Sequence, residues 1–306
     1  MDNPIKVGVV GVGHLGKEHA RIYSQLPGCQ LVGIVDSNPK AAEAIAKKVR
    51  SRVFPSIAEL APAVDAVSVV VPTTMHHEVA RVFLTAGKDV FIEKPITETT
   101  AQAEELVRLA QQKGRLVQVG HIERFNPVLS YLEKNLHVPK FIEAHRLSPY
   151  PGRGTDVSVV LDLMIHDLDV ILHLVHSPLV SFDAVGVAVL SPSEDIANAR
   201  LKFANGCVAN ITTSRISPEK MRKIRVFSAD SYISLDYQNQ EGEVYWKEAG
   251  AIKRDKVPVT KDEPLKLELA SFLESVRQRS EPKVSGEQGK RALDVAVAII
   301  EQIRKS

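Results

Sequence analysis

The chain has 306 residues, a length that fits two domains better than one or three. Hydrophobic residues make up 44% and charged residues 25%, as in ordinary globular proteins, and a net charge of +2 gives no bulk pull towards nucleic acid or an anionic membrane. Cys29 and Cys207 stand far apart with no CxxC pair, which argues against a disulfide scaffold or a cysteine zinc site and fits a reducing compartment.

The opening MDNPIKVGVVG runs straight into a strand-like segment, without the basic start, long apolar core and cleavage site of a secretory signal, so the cytoplasm is the expected location. Over the first ~120 residues apolar β-branched runs alternate with helical patterns, the mark of a parallel sheet with crossover helices. The strand-like runs are IKVGVV (5–10), LVGIVD (31–36), a short one near Val53–Phe54, AVSVVV (66–71), DVFIE (89–93) and RLVQV (115–119). They alternate little, as strands buried on both faces do. GKEHARIYSQL and TTAQAEELVRLAQQKG read as helices between them.

The first strand leads into Gly11-x-Gly13-x-x-Gly16 and then a helix. In that setting the three glycines are a dinucleotide fingerprint: Gly11 makes the tight turn, Gly13 admits a pyrophosphate, and Gly16 lets the helix pack closely. The loop residues His14 and Leu15 are expected beside the cofactor. Asp36 ends the second strand at the acidic position for ribose hydroxyls, about 20 residues beyond the last glycine. Ser37 and Asn38 follow it with no arginine, which favours NAD over NADP. The competing role for Asp36 is capping the helix that begins near Pro39.

Ligands of an open α/β sheet sit beyond the carboxyl ends of its strands. The fourth strand is followed there by Pro72, Thr73 and His76, the fifth by Glu93-Lys94-Pro95, and the sixth by GHIERFNP from Gly120 to Pro127, which includes Arg124. A lysine that ends a buried strand is poorly explained as a solvated surface charge, and a buried amine exchanges its proton readily. Glu93 either orients Lys94 or faces the opposite side of the strand as an ordinary carboxylate. No metal is expected, since His76 and His77 lack further ligands at metal spacing.

After Gly120 the pattern changes. One apolar helix spans about 158–176, followed by the alternating segments SFDAVGVAV, ANARLKF, CVANITTS, KIRVFSA, YISLDY and EVYWKE. Asn205-Gly206 signals a type I′ hairpin. PLKLELASFLESVRQR and GEQGKRALDVAVAIIEQIRK close the chain as helices. The expected division is a dinucleotide-binding domain at 1–120 and a substrate-binding and self-association domain at 121–306, with the closing helices able to pack back on the first.

The apolar helix reads VVLDLMIHDLDVILHLV. As a membrane span it would place three aspartates in the bilayer, each costing roughly 2.5–3.5 kcal/mol, so a span is rejected. Asp162 and His166 are four apart and share one face of a regular helix, which Asp169 and His173 continue. Asp167 points elsewhere. The basic run SRISPEKMRKIR reads first as a solvated strand face or a dimer contact, and second as a diphosphate site.

Gly11–Gly16, Pro72 with His76, Glu93-Lys94-Pro95 and Asp162-x-x-x-His166 together resemble the Gfo/Idh/MocA oxidoreductase family. The resemblance implies a Rossmann domain that binds a nicotinamide nucleotide and a C-terminal α/β domain with a large, mostly antiparallel sheet. It also implies that Lys94 and His166 act in proton transfer with Asp162 beside them, and that the protein is a homodimer or homotetramer packed through that sheet. The lead-in Val157-Ser158-Val159-Val160 and Met164 depart from the family pattern. GHIERFNP and RGTDVSVVLDLMIHDLDV resemble, more narrowly, bacterial dehydrogenases that oxidise C3 of UDP-N-acetylglucosamine. On that basis Arg124, Tyr150 and Arg153 join Lys94, Asp162 and His166 as substrate-binding candidates. The alternatives are a dehydrogenase of a free sugar, cyclitol or other polyol, and a non-catalytic dinucleotide sensor.

Overall fold

The computed structural model describes residues 3–136, 138–150 and 157–305. These fall into two compact units, 1–121 with 265–291 and 122–264 with 292–306.

The first unit is built on β1 (Ile5–Val10), β2 (Cys29–Val35), β3 (Arg52–Val53), β4 (Ala66–Val69), β5 (Asp89–Glu93) and β6 (Val117–Gly120). All are parallel, in the order β3-β2-β1-β4-β5-β6. The order reverses between β1 and β4, which makes the carboxyl ends of these two strands the switch point of a doubly wound sheet. Every residue of β4 and β5 is buried, which explains why these runs do not alternate. The crossovers carry α1 (Gly16–Tyr23), α2 (Pro39–Val49), α3 (Ile57–Leu60), α4 (Thr73–Thr85) and α5 (Thr100–Lys113). Asn38 caps α2, its Oδ1 accepting the Ala41 N–H at 3.3 Å, with Pro39 at the first helical position. Thr99 and Gln102 cap α5 reciprocally, and Gly114 ends it at φ 59°.

The second unit opens with α6 (Pro127–Asn135) and β7 (Phe141–Leu147), continues through α7 (Ile165–Val175), and then runs through β8 (Leu179–Val187), β9 (Ile196–Phe203), β10 (Val208–Ser214), β11 (Met221–Phe227), β12 (Ser231–Asp236), β13 (Glu241–Glu248) and β14 (Ala251–Lys256). Its strands are ordered β14-β13-β12-β11-β7-β10-β9-β8, antiparallel except for β7 beside β10. The inner face buries Ile142, Ala144, Ala199, Leu201, Ala209, Ile211, Ile224 and Val226 in one core with α7. Two further helices, α8 (Pro264–Gln278) and α9 (Gly286–Lys305), close the chain. Within the first unit, the α8 residue Phe272 meets Phe91 edge-on at 5.8 Å.

Two local expectations are corrected. The hairpin at Asn205-Gly206 forms, but not with a type I′ turn: Gly206 alone has positive φ, at 83°. The Asn205 side chain is engaged instead, accepting the Cys207 N–H at 3.0 Å and donating to the Val175 carbonyl at 3.3 Å. The apolar helix is irregular at its start. Val160–Met164 form a π turn in which the Ile165 N–H reaches back to the Val160 carbonyl, and only then does α7 begin. Among the described residues no helix is long and apolar enough to cross a membrane.

Candidate active site

The glycine loop sits at the end of β1. Gly11 has φ 87°, and a Cβ there would lie 2.5 Å from the Val70 carbonyl oxygen. A Cβ at Gly16 would lie 1.8 Å from the Gly11 carbonyl oxygen, so α1 packs against its own lead-in. Gly13 differs: no atom comes within 4 Å of where its Cβ would be, and its backbone is open to an approaching group. His14 and Leu15 are exposed on the same loop. Asp36, at the end of β2, accepts the Val12 N–H at 2.7 Å and the Asn38 N–H at 2.8 Å. It therefore ties the glycine loop to β2 and leaves the capping of α2 to Asn38. Ser37 is exposed beside it. An open glycine backbone, a helix start and a carboxylate with no arginine after it fit a dinucleotide without a 2′-phosphate.

Beyond β4 and β5 the chain makes a second rim. Pro72 is exposed and precedes α4, which starts at Thr73. Lys94 is half-buried, and the Lys94–Pro95 peptide is cis. His76 was expected to meet the cofactor. It is 1% exposed, with Nδ1 2.9 Å from the Pro95 carbonyl and Nε2 2.9 Å from the Val71 carbonyl. Both ring nitrogens lie within hydrogen-bonding distance of main-chain carbonyls, so His76 pins the end of β4 to the Glu93-Lys94-Pro95 turn. Burial lowers its pKa, against the opposing pull of the two carbonyls. Glu93 is buried as well; its Oε1 lies 3.1 Å from His19 Nε2, and its Oε2 accepts the Lys94 N–H at 3.2 Å.

In the second unit the Asp162–His166 spacing crosses the junction from the π turn into α7. Asp162 is half-buried and His166 buried. The shared face does not continue as a regular helix would have it. Asp169 lies inward, 3.6 Å from the Arg124 guanidinium, and His173 Nε2 lies 3.0 Å from Glu133 of α6. Asp167 is gripped by Arg146 of β7, which also donates to Glu123 at 2.9 Å. Arg124, expected to meet substrate, is 1% exposed beside Asp169 and belongs to this interior charge network. Tyr150 is exposed, its hydroxyl 3.2 Å from Ser191 Oγ, and Arg153 lies outside the described residues. The basic run is mostly paired: Arg215 with Asp195 at 2.9 Å, Lys223 with Asp236 at 3.7 Å and Arg225 with Glu143 at 3.1 Å.

Residues 5–121 match the oxidoreductase family with an NAD-binding Rossmann fold, and residues 139–233 match the Gfo/Idh/MocA C-terminal domain. The UDP-N-acetylglucosamine 3-dehydrogenase of Acidithiobacillus ferrooxidans is 37% identical over 302 residues, 96% of each chain. The chain belongs to the Gfo/Idh/MocA oxidoreductases. The solved structure of that Acidithiobacillus enzyme superposes with a TM-score of 0.94, covering 100% of this chain and 99% of the other. The scyllo-inositol 2-dehydrogenase of Bacillus subtilis is 25% identical, covering 71% of this chain and 69% of its own. A levoglucosan dehydrogenase complexed with NADH and levoglucosan shares the fold, with a TM-score of 0.91 at 17% identity.

As a member of this family the chain is a dehydrogenase whose cofactor is NAD. His19 and Arg146 were not singled out from the sequence. His19 sits inside a helical pattern with nothing to distinguish it from a surface residue. Arg146 alternates with Ile142 and Ala144 on the buried face of β7, where a charge hides the strand's periodicity. Among the described residues no group of three His, Cys, Asp or Glu side chains is placed to hold a metal.

Proposed function

We propose that this dehydrogenase oxidises the 3-hydroxyl of UDP-N-acetylglucosamine to a ketone. The observation that carries this is the 37% identity to a UDP-N-acetylglucosamine 3-dehydrogenase along 96% of both chains. By comparison, the inositol 2-dehydrogenase of Cereibacter sphaeroides is 31% identical over 59% of this chain. A free cyclitol or sugar is therefore the second reading.

When bound, the nicotinamide accepts the carbinol hydrogen as hydride. The open backbone at Gly13 and the start of α1 hold the pyrophosphate, and Asp36 takes the ribose hydroxyls, with His14, Leu15, Ser37, Pro72 and Thr73 alongside. Lys94 and His166 act on one substrate hydroxyl: one removes its proton, and the other donates a hydrogen bond to the oxygen as charge develops. Asp162 holds the substrate and orients His166. Tyr150 and Arg153 serve the rest of the nucleotide sugar. In this scheme residues 1–120 serve the cofactor and residues 121–306 serve the substrate.

The same proposal includes self-association as a homodimer or homotetramer through the outer face of the eight-stranded sheet. Phe141, Phe227, Tyr232 and Tyr245 adjoin one another across four strands of that sheet, with ring centroids 5.8, 4.5 and 5.2 Å apart. Val185, Val187 and Ile252 are exposed on its edge strands. The cytoplasm is the proposed location, in keeping with two free cysteines.

A substrate panel tests the proposal. Reduced-nicotinamide absorbance should rise with UDP-N-acetylglucosamine and stay flat with free N-acetylglucosamine and myo-inositol. Turnover of the free polyols alone would replace the proposal with the second reading.

A further inference from the structure

Beneath Lys94 lies a buried pair that the proton-transfer scheme does not use. His19 is on α1, in the first turn after the glycine loop, and is 0% exposed. Its Nε2 reaches Glu93 Oε1 at 3.1 Å, joining residues 74 positions apart. The other Glu93 oxygen accepts the Lys94 N–H at 3.2 Å. The carboxylate is further boxed in by Gly120 of β6, where a Cβ would lie 2.9 Å from Glu93 Oε2. On its other side the His19 ring stands edge-on to Phe91 of β5 at 5.3 Å and to Tyr23 at 6.5 Å.

The arrangement has a direction. His19 Nδ1 is buried with no hydrogen-bond partner among the described residues. A bare ring nitrogen tolerates that better than an N–H does, since an unmet donor loses its whole hydration. The proton is therefore on Nε2 and is donated to Glu93. Burial works to raise the Glu93 pKa, but the hydrogen bond from His19 and the nearby Lys94 ammonium outweigh it and bring it below the ordinary carboxylate range. Glu93 thus carries a fixed negative charge in the interior, one residue from the Lys94 amine.

We infer that His19 is a positioning residue for Lys94, acting through Glu93. The helix that receives the cofactor's pyrophosphate holds the carboxylate, and the carboxylate holds the backbone of the lysine. The distance between cofactor and amine is then set by one hydrogen-bonded chain: α1, His19, Glu93, Lys94. The role presupposes the catalytic place proposed for Lys94 above. Tyr23 of α1 and His76 of α4 are further titratable groups that interact with Glu93.

The test compares His19→Phe, His19→Gln, Glu93→Gln and Lys94→Ala in the full chain, with NAD and UDP-N-acetylglucosamine as probes. A glutamine at 19 can still donate to Glu93; a phenylalanine cannot. For His19→Phe we expect kcat lower by about 10- to 100-fold, KM for NAD within about threefold of wild type, and most of the rate restored in His19→Gln. Glu93→Gln should lower kcat and shift the kcat–pH profile, because it removes a negative charge one residue from the Lys94 amine. If His19→Phe does not fold, Glu93→Gln and His19→Gln carry the same comparison. A wild-type rate and pH profile in Glu93→Gln overturns the inference. So does a His19→Gln variant as slow as His19→Phe, since that would mean that only the ring's packing matters. Wild-type turnover in Lys94→Ala overturns the catalytic place of Lys94 instead.

Discussion

Arg146 grips Asp167 through two hydrogen bonds, Nε to Oδ2 at 2.8 Å and Nη2 to Oδ1 at 3.0 Å, with both residues almost wholly buried. Asp167 directly follows His166, so this pair fixes the start of α7 to the middle of the sheet. Glu123, from the GHIERFNP stretch, takes a third Arg146 bond at 2.9 Å and is itself held by Asn126 Nδ2 at 3.2 Å.

Breaking that pair should cost more than replacing it. Asp167→Ala leaves a buried guanidinium with one carboxylate fewer, and we expect a loss of about 3–5 kcal/mol. Arg146→Met combined with Asp167→Leu and Glu123→Gln removes all three charges and should cost clearly less. Urea unfolding of the single and triple variants measures the difference. Equal losses would show that the pair's charge balance is not what matters.

The three glycines should separate stability from cofactor binding. Gly16→Ala collides with backbone and should lower the melting temperature markedly, whereas a Cβ at position 13 meets no atom within 4 Å. Gly13→Ala should therefore melt like wild type while its NAD affinity falls about tenfold or more, because the methyl group occupies the pyrophosphate approach. Thermal melts and NAD titration test both halves.

Glu93 should make stability depend on acid. Its folded pKa is depressed, so its contribution is fully present above the unfolded glutamate value of about 4.3 and is lost as pH falls through the lower folded value. Melting temperature against pH should fall less steeply below that value in Glu93→Gln. Parallel curves for the two proteins would contradict the assignment of a buried charge.

Both thiols should be unreactive in the native state. Burial raises Cys29 to about 12, partly offset by Arg277, and Cys207 to about 11, partly offset by Lys140. Alkylation at neutral pH should be slow for both and become fast on unfolding, as mass spectrometry of quenched samples would show.

Much of the first unit was legible because burial on both faces leaves a simple signal. IKVGVV and DVFIE are the strands β1 and β5 to the residue, and the glycine loop and Lys94 follow from where those strands end. The second unit was less so. In β7 the buried Arg146 breaks the apolar alternation, and β14 is exposed at every residue, so neither announced itself. The π turn at Val160–Met164 has no residue signature of its own in so apolar a run. Arg124 looked available because its position after β6 is a ligand-side position; its pairing with Asp169 is a tertiary fact. His19 was invisible for the same reason, since its partner is supplied by β5.

The central claim is that Lys94 and His166 work on one hydroxyl of UDP-N-acetylglucosamine. The most direct measurement is the rate of NAD reduction with that substrate in wild type, Lys94→Ala and His166→Ala, with NAD affinity followed in parallel. We expect turnover in wild type, a loss of about 10²- to 10⁴-fold in each variant, and little change in NAD affinity. A flat trace for folded, NAD-binding wild type, or variants that turn over at the wild-type rate, would contradict it.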